Sequence, residues 1–391
     1  MNVLPVALIA RPSSSFAARL PSRLAASLAL VCLAALAALP LPAIAQNAVQ
    51  TVAPDGGIWT SGAGFSFGLS KKKELKTRQS VSGMACNLNA QKTRVCLLAF
   101  DEGAEARYAT VSSAGLTPDT EAVVLRNTEG ELDAEAAATD GRYFYVTGSH
   151  SAKRGDCASN PESRHVIRLR IDAATGRAVN PSGSGPLADH ADSGRLWEIM
   201  QAQPELAPHI GERACLGSAP PAGAPALAGQ QGVNIEGLAV KDDRLYFGFR
   251  GPVVGGVARV LSVNAQALFE GGDARAEVTQ LALGPQRGIR DMLAVNGGFL
   301  LLAGPDDSPA SQKGDWAVWW WDGTAAPRSP GVAAPRKLAQ LDLRAVQLRQ
   351  CDKELKPEAM TLLEESPNSW TLLVLSDGMC DGGPLKVTVP R

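Results

Sequence analysis

Residues 235–251 read IEGLAVKDDRLYFGFRG. An acidic start, an apolar strand, a tight turn and a second apolar strand follow one another, then a basic exit. The same plan returns as AEAAATDGRYFYVTGSH over 134–150, IRDMLAVNGGFLLLAGPD over 289–306 and PEAMTLLEESPNSWTLLVLSDG over 357–378, and more loosely as GMACNLNAQKTRVCLLAFDEG over 83–103. One hairpin cannot bury its own apolar faces, so repeats of this length imply supersecondary units that stack on their neighbours. Further runs follow the paired strands. RHVIRLRID, GGVARVLSVN and WAVWWWDG read as third strands, and PRKLAQLDL and AEVTQLAL as fourth ones. Four strands per repeat, with Asp-Gly, Asn-Gly and Asp-Asp turns, predict an all-β β-propeller of five four-stranded blades, with six as the alternative. The piece ELKTRQS is expected to close the last blade as its outer strand, and Lys71, Lys72 and Lys73 read as a solvated edge.

The first 45 residues read as a signal peptide. Arg11, Arg19 and Arg23 precede an apolar run from Leu24 to Leu39, and Ala43-Ile44-Ala45 offers a cleavage site. Residues 46–391 then form a single propeller domain in the periplasm or outside the cell, with no membrane span after cleavage. Without the three arginines the 38 basic residues become 35 against 39 acidic ones, which gives no footprint for nucleic acid. Six cysteines remain in an oxidising compartment. Cys86 and Cys96 flank the first hairpin turn, Cys157 and Cys215 bracket a long insertion, and Cys351 is left for Cys380. The insertion, 175–232, carries a short helix around LWEIMQAQPEL with Ser193 as N-cap, expected on the face of the ring as a plug for one end of the channel, with a lid as the alternative.

In a propeller the start of each inner strand and the end of the second share a rim. Glu135, Glu236, Arg290, Asp291 and Glu358 are therefore expected at one channel mouth, together with Asp101, Glu102, His150, Arg250, Arg287, Asp306 and Asp377. Glu135, Glu236 and Glu358 are candidate ligands of a hard cation, with Ca²⁺ the candidate cofactor. Arg250, Arg287, Arg290 and Asp291 are candidate ligand-binding residues that suit an anionic small molecule. His150, Glu236 and Asp377 are the catalytic candidates, His150 as proton shuttle. The alternative is that the glutamates only pair with arginines of adjacent blades. The four tryptophans at 316 and 319–321 read as packing between blades, because alternation sends Trp320 to the face opposite Trp319 and Trp321. Gly64-Phe65-Ser66-Phe67-Gly68 has nucleophile-elbow spacing without the helix that motif needs. A phosphate-binding loop and a paired-histidine zinc helix are absent.

Asn234-Ile235-Glu236-Gly237-Leu238, Phe249-Arg250-Gly251-Pro252, Arg287-Gly288-Ile289-Arg290-Asp291 and Ala303-Gly304-Pro305 resemble a bacterial exported family known as domain of unknown function 3616. Glu135 with Gly148-Ser149-His150-Ser151, and Glu358 with Ser376-Asp377-Gly378, extend the resemblance over most of residues 80–380. A more distant similarity to phytase-like and esterase-like propellers implies phosphoester or ester hydrolysis assisted by Ca²⁺. The competing expectation is a non-catalytic envelope scaffold that binds a protein or a glycan.

Overall fold

The computed structural model describes residues 49–391 apart from 114, 129, 155, 182–185, 212–213, 217–231, 308–314 and 326–330. The expected signal peptide and its cleavage site lie outside these residues, as does much of the Gly/Pro-rich end of the insertion. No helix among the described residues is long and apolar enough to cross a membrane.

Five small sheets form a ring of five blades. Their inner strands are Val81–Leu88, Ala134–Thr139, Asn234–Lys241, Arg287–Val295 and Lys356–Glu365. Each touches the next, and the fifth touches the first, so the ring closes around a shared axis. The hairpin behind Asn234–Lys241 shows how the sequence sets the register. Lys241 pairs with Arg244, which leaves Asp242 and Asp243 as a two-residue loop with φ of 50° and 58°. Both angles fall in the left-handed region that matches the twist of a two-stranded ribbon.

Side chains alternate across each strand, so every blade offers two apolar faces and every seam has its own core. Ala85 and Leu97 pack toward blade 2 while Met84 and Leu98 pack toward blade 5. Trp319 and Trp321 enter the seam of blades 3 and 4, and Trp316 and Trp320 the seam of blades 4 and 5, as their alternation predicted. Phe65 of the elbow-like motif packs edge-on to Phe100 at 5.5 Å and serves the blade 1–5 core. The inner strands meet closely at Gly83, where an added Cβ would lie 2.8 Å from backbone atoms of Ala136. Gly83→Val should therefore lower stability by about 1–3 kcal/mol, from the overpacking range. A shift of the urea midpoint with unchanged slope is the expected readout.

Ring closure differs from expectation in one respect. The ELKTR of ELKTRQS is helical, within Lys71–Arg78, so the three lysines are not on an edge strand. Most of its residues are straight-chain helix formers. Glu74 accepts the backbone N–H groups of Phe67 and Leu69 at 2.9 and 3.0 Å, and Arg78 forks onto Asp381 at 2.9 and 2.6 Å. Blade 5 has three strands, and its edge is met by irregular chain: Asp55 N–H donates to Lys386 O at 2.7 Å and Trp59 N–H to Pro384 O at 2.8 Å. The same N-terminal segment pairs in parallel with the outer strand of blade 4 through Gln50–Val52. It then reaches blade 1, where Thr60 O accepts the Leu116 N–H. One segment thus straps three blades.

The insertion is also placed differently. Its Ala191–Ser193 is the fourth strand of blade 2, and the helix Arg195–Gln201 buries Leu196 and Met200 in the seam of blades 2 and 3 beside the helix Ala265–Glu270. It wedges that seam and does not plug the channel, because its apolar stripe matches the core between the blades. Gly194 occupies the cap position, while the Ser193 hydroxyl donates to Leu268 O at 2.7 Å. All three disulfides form as expected: Cys86–Cys96, Cys157–Cys215 and Cys351–Cys380. They fit a chain that folds in an oxidising compartment.

Candidate functional site

Each inner strand breaks register at an equivalent place, and Asn234–Lys241 and Lys356–Glu365 each shift a second time elsewhere. The shift falls at Ser82, Glu135, Glu236, Arg290 and Glu358, one residue per blade. A β-bulge leaves one residue outside the ladder and re-aims its side chain. Here it gives a five-membered crown of polar groups at one channel mouth. Three of its members are the glutamates singled out in the sequence, and a fourth is Arg290.

The crown is largely self-paired. Arg290, only 1% exposed, places Nε 2.7 Å from Glu236 Oε2 and its Nη2 on Glu358 Oε1. Ser82 donates to Glu358 at 3.3 Å. Arg250 sits 2.8 Å from Glu236 and 3.1 Å from Asp307. These two arginines were expected to clamp an anion, yet each is already held by two carboxylates. Arg287 turns to Asp315, on which both its terminal nitrogens bear. Asp291 accepts the backbone N–H groups of Met292 at 2.7 Å and Met360 at 2.6 Å, which ties blade 4 to blade 5. These placements depart from the ligand-binding roles expected of the four residues, and the reason is electrostatic: a buried guanidinium or carboxylate is tolerated only with its counter-group or donors supplied.

The acidic members outnumber the cations, and their titration reflects it. Burial and then the Glu236, Asp133, Glu358 and Asp101 carboxylates raise Glu135 well above the ordinary range. Asp101 is likewise raised by burial and by Asp377. Asp133 is pushed up to about 6, by burial against the opposing effect of the Ser149 hydroxyl, and Glu358 to about 8, by burial that the Arg290 guanidinium only partly offsets. Lys356 lies 2.8 Å from Asp377.

His150 stands apart from this network. It is fully buried with φ 54°, neither ring nitrogen has a hydrogen-bond partner among the described residues, and burial with His165 and Arg164 nearby pushes it down to about 3. Buried, without a hydrogen-bond partner among the described residues and kept neutral in this placement, the ring does not fit the proton-shuttle role expected of it. Glu102 pairs with Lys76. Asp307, the residue after Asp306, reaches Arg250.

Glu135, Glu236 and Glu358 do not converge on one ion. Among the described residues only Cys351, Asp352 and Cys380 bring three such ligand atoms within 4.8 Å, and those two sulfurs are bonded to each other. Arg290 lies between Glu236 and Glu358 instead. Glu135 faces a cavity of about 550 Å³, lined also by Asp133, Ser151, Arg154, Asn160 and Asn234. Sequence reading missed Asp133, Asn234 and Asp307. Asn234 directly precedes the third repeat and Asp307 directly follows the fourth, so the signal was one residue outside the quoted plan.

The family described as "Protein of unknown function (DUF3616)" matches residues 93–382. No curated protein matches the chain. Among solved structures, an exo-β-1,3-galactanase from Phanerochaete chrysosporium with β-1,3-galactotriose is similar at TM-score 0.42 and 10% identity, over 87% of this chain and 64% of that one. The chain thus spans less than two thirds of the fungal enzyme. An arabinanase from Bacillus subtilis is similar at TM-score 0.36 and 10% identity, over 80% and 94% of the two chains. A calcium-binding regucalcin from Agrobacterium tumefaciens is similar at TM-score 0.35 and 11% identity, over 88% and 95%.

Proposed function

This chain belongs to the family described as protein of unknown function DUF3616, and on that premise we propose that its channel mouth binds a small anionic ligand, phosphoester-like, by way of a hard cation. One observation carries the reading: around a cavity of about 550 Å³ the acids exceed the bases, while Arg250 and Arg290 are already engaged. An anion laid directly on those arginines would have to displace carboxylates of its own sign. A cation held by the unpaired acids removes that conflict and leaves positive charge facing the cavity. Ca²⁺ is the cation proposed, from its preference for oxygen donors. The three disulfides support a periplasmic or secreted location for this activity.

The test is binding and turnover of p-nitrophenyl phosphate and inositol hexakisphosphate by the purified protein, in chelator and in excess Ca²⁺. Binding that requires Ca²⁺ is the expected result. Equal binding in chelator, or none in either condition, overturns the reading.

A further inference from the structure

Follow the crown around the axis and its contacts run without a break over four blades: Glu236 to Arg290, Arg290 to Glu358, Glu358 to Ser82. Blade 2 is the exception. Glu135, between Ser82 and Glu236 in ring order, has no hydrogen bond or ion pair among the described residues, although it stands at the same bulge as its four counterparts. Where Arg290 separates Glu236 from Glu358, no cation is shown to separate Glu236 from Glu135.

A second, independent observation points to the same place. Asn234 is 2% exposed and lines the cavity beside Glu135. Its Nδ2 donates to Glu236 Oε1 at 3.1 Å and to Asp307 Oδ2 at 3.2 Å. Both partners are pure acceptors, so they fix the amide orientation and turn Oδ1 away from themselves. That buried oxygen has no donor. A carbonyl oxygen left without a partner is costly, and Asp133 and Glu135 line the same cavity without being hydrogen-bonded to it. Lys153 and Arg154 also line the cavity, but both are exposed, and Arg154 reaches Asp307 at 3.4 Å.

We propose that a divalent cation, Ca²⁺ by its chemistry, binds at the seam of blades 2 and 3 with Glu135, Asp133 and Asn234 Oδ1 as its protein ligands. This rests on the reading that a cation occupies the channel mouth, and it says where. Glu236 and Glu358 stay outside the ligand set because Arg250 and Arg290 hold them. The donors are all oxygen, and no histidine or cysteine lines the cavity among the described residues, which disfavours zinc and other softer metals. Three protein ligands in a roomy cavity leave the remaining positions to water, an irregular shell that Ca²⁺ accepts and Mg²⁺ does not.

The experiment is calorimetric titration of the chelator-treated protein with CaCl₂ and, separately, MgCl₂. One equivalent of Ca²⁺ should bind, at least about tenfold more tightly than Mg²⁺. Glu135→Gln loses no contact in the fold, so it should melt at or above the wild-type temperature in chelator while weakening Ca²⁺ binding at least about tenfold. Glu364→Gln, on the exposed end of blade 5, should bind Ca²⁺ as wild type does. Wild-type binding that Glu135→Gln leaves intact overturns this location but spares a cation elsewhere in the mouth. If the wild-type protein takes up no Ca²⁺, the location and the cation-bridged reading fall together.

Discussion

Arg290→Met is expected to lower the free energy of unfolding by about 3–5 kcal/mol, the range for breaking a buried ion pair from one side. The methionine fills much of the arginine's volume, so cavity formation is a minor part of the loss. What remains is two buried carboxylates, Glu236 and Glu358, facing each other without the guanidinium that lay 2.7 Å from the first and against the second. The Pro305 carbonyl also loses its donor at 3.2 Å, and Trp316 loses the cation 5.4 Å from its ring. Arg290→Lys should recover only part of the loss, because one ammonium cannot serve two carboxylates and a carbonyl in the geometry of a planar fork. Read at pH 9, above the value of about 8 at which Glu358 titrates, adding Glu358→Gln to Arg290→Met should restore part of the stability, since it removes one of the orphaned charges. A double-mutant cycle read by urea denaturation measures this coupling. A loss below about 1 kcal/mol for Arg290→Met would mean that the crown is hydrated and the ion pairs are screened.

The propeller was legible because its inner strands obey one short plan, and the plan repeats. Strand alternation placed the tryptophans correctly, since Trp319 and Trp320 must point to opposite faces whatever the blade packs against. The charged residue at four of the five repeat starts was also legible, and the structure gives the reason for its recurrence: a bulge stands at that position in each of those blades. Three things were not legible. Whether a glutamate meets an arginine or a cavity depends on the neighbouring blade, so Glu236 and Glu135 look alike in sequence and differ entirely in partners. Asp307 lies one residue beyond the quoted repeat, and hairpin exits carry no periodic signal that would have drawn it in. His150 follows a strand as Arg250 does, but its positive φ turns the chain, and the ring is buried in surroundings set by Arg164 and His165. The basic segment Lys71–Arg78 misled for a related reason. Lysines are common on strand edges, yet the helix is held by Glu74 and by Asp381, which lies about 300 residues away.

The second large effect concerns pH, and its sign follows from the crown. Glu135 and Asp101 are raised well above the ordinary carboxyl range, Asp133 to about 6 and Glu358 to about 8. Below the unfolded values near 4 these groups are protonated in both states and contribute nothing. As pH rises, the unfolded chain releases its protons first and the folded chain keeps them, so folding is progressively disfavoured until the folded values are passed. For Asp133 alone the shift corresponds to about 3 kcal/mol. Two other carboxylates act in the opposite sense: against the opposing effect of burial, Asp119 is lowered by the Glu121 backbone N–H and then by Arg177, and Asp192 by His165 and then Arg126, so both stabilise the fold above about pH 4 and lose that contribution in acid. The metal-free protein should therefore be most stable on the mildly acidic side, with its melting temperature falling between pH 5 and 8. Glu135→Gln should flatten that alkaline limb, whereas Asp119→Asn should change only the acid one. Thermal unfolding in chelator across this range decides the matter. A melting temperature that stays level or climbs toward pH 8 would show that the crown carboxylates are charged and satisfied without any added cation, and the repulsion assigned to Glu135 would then be absent.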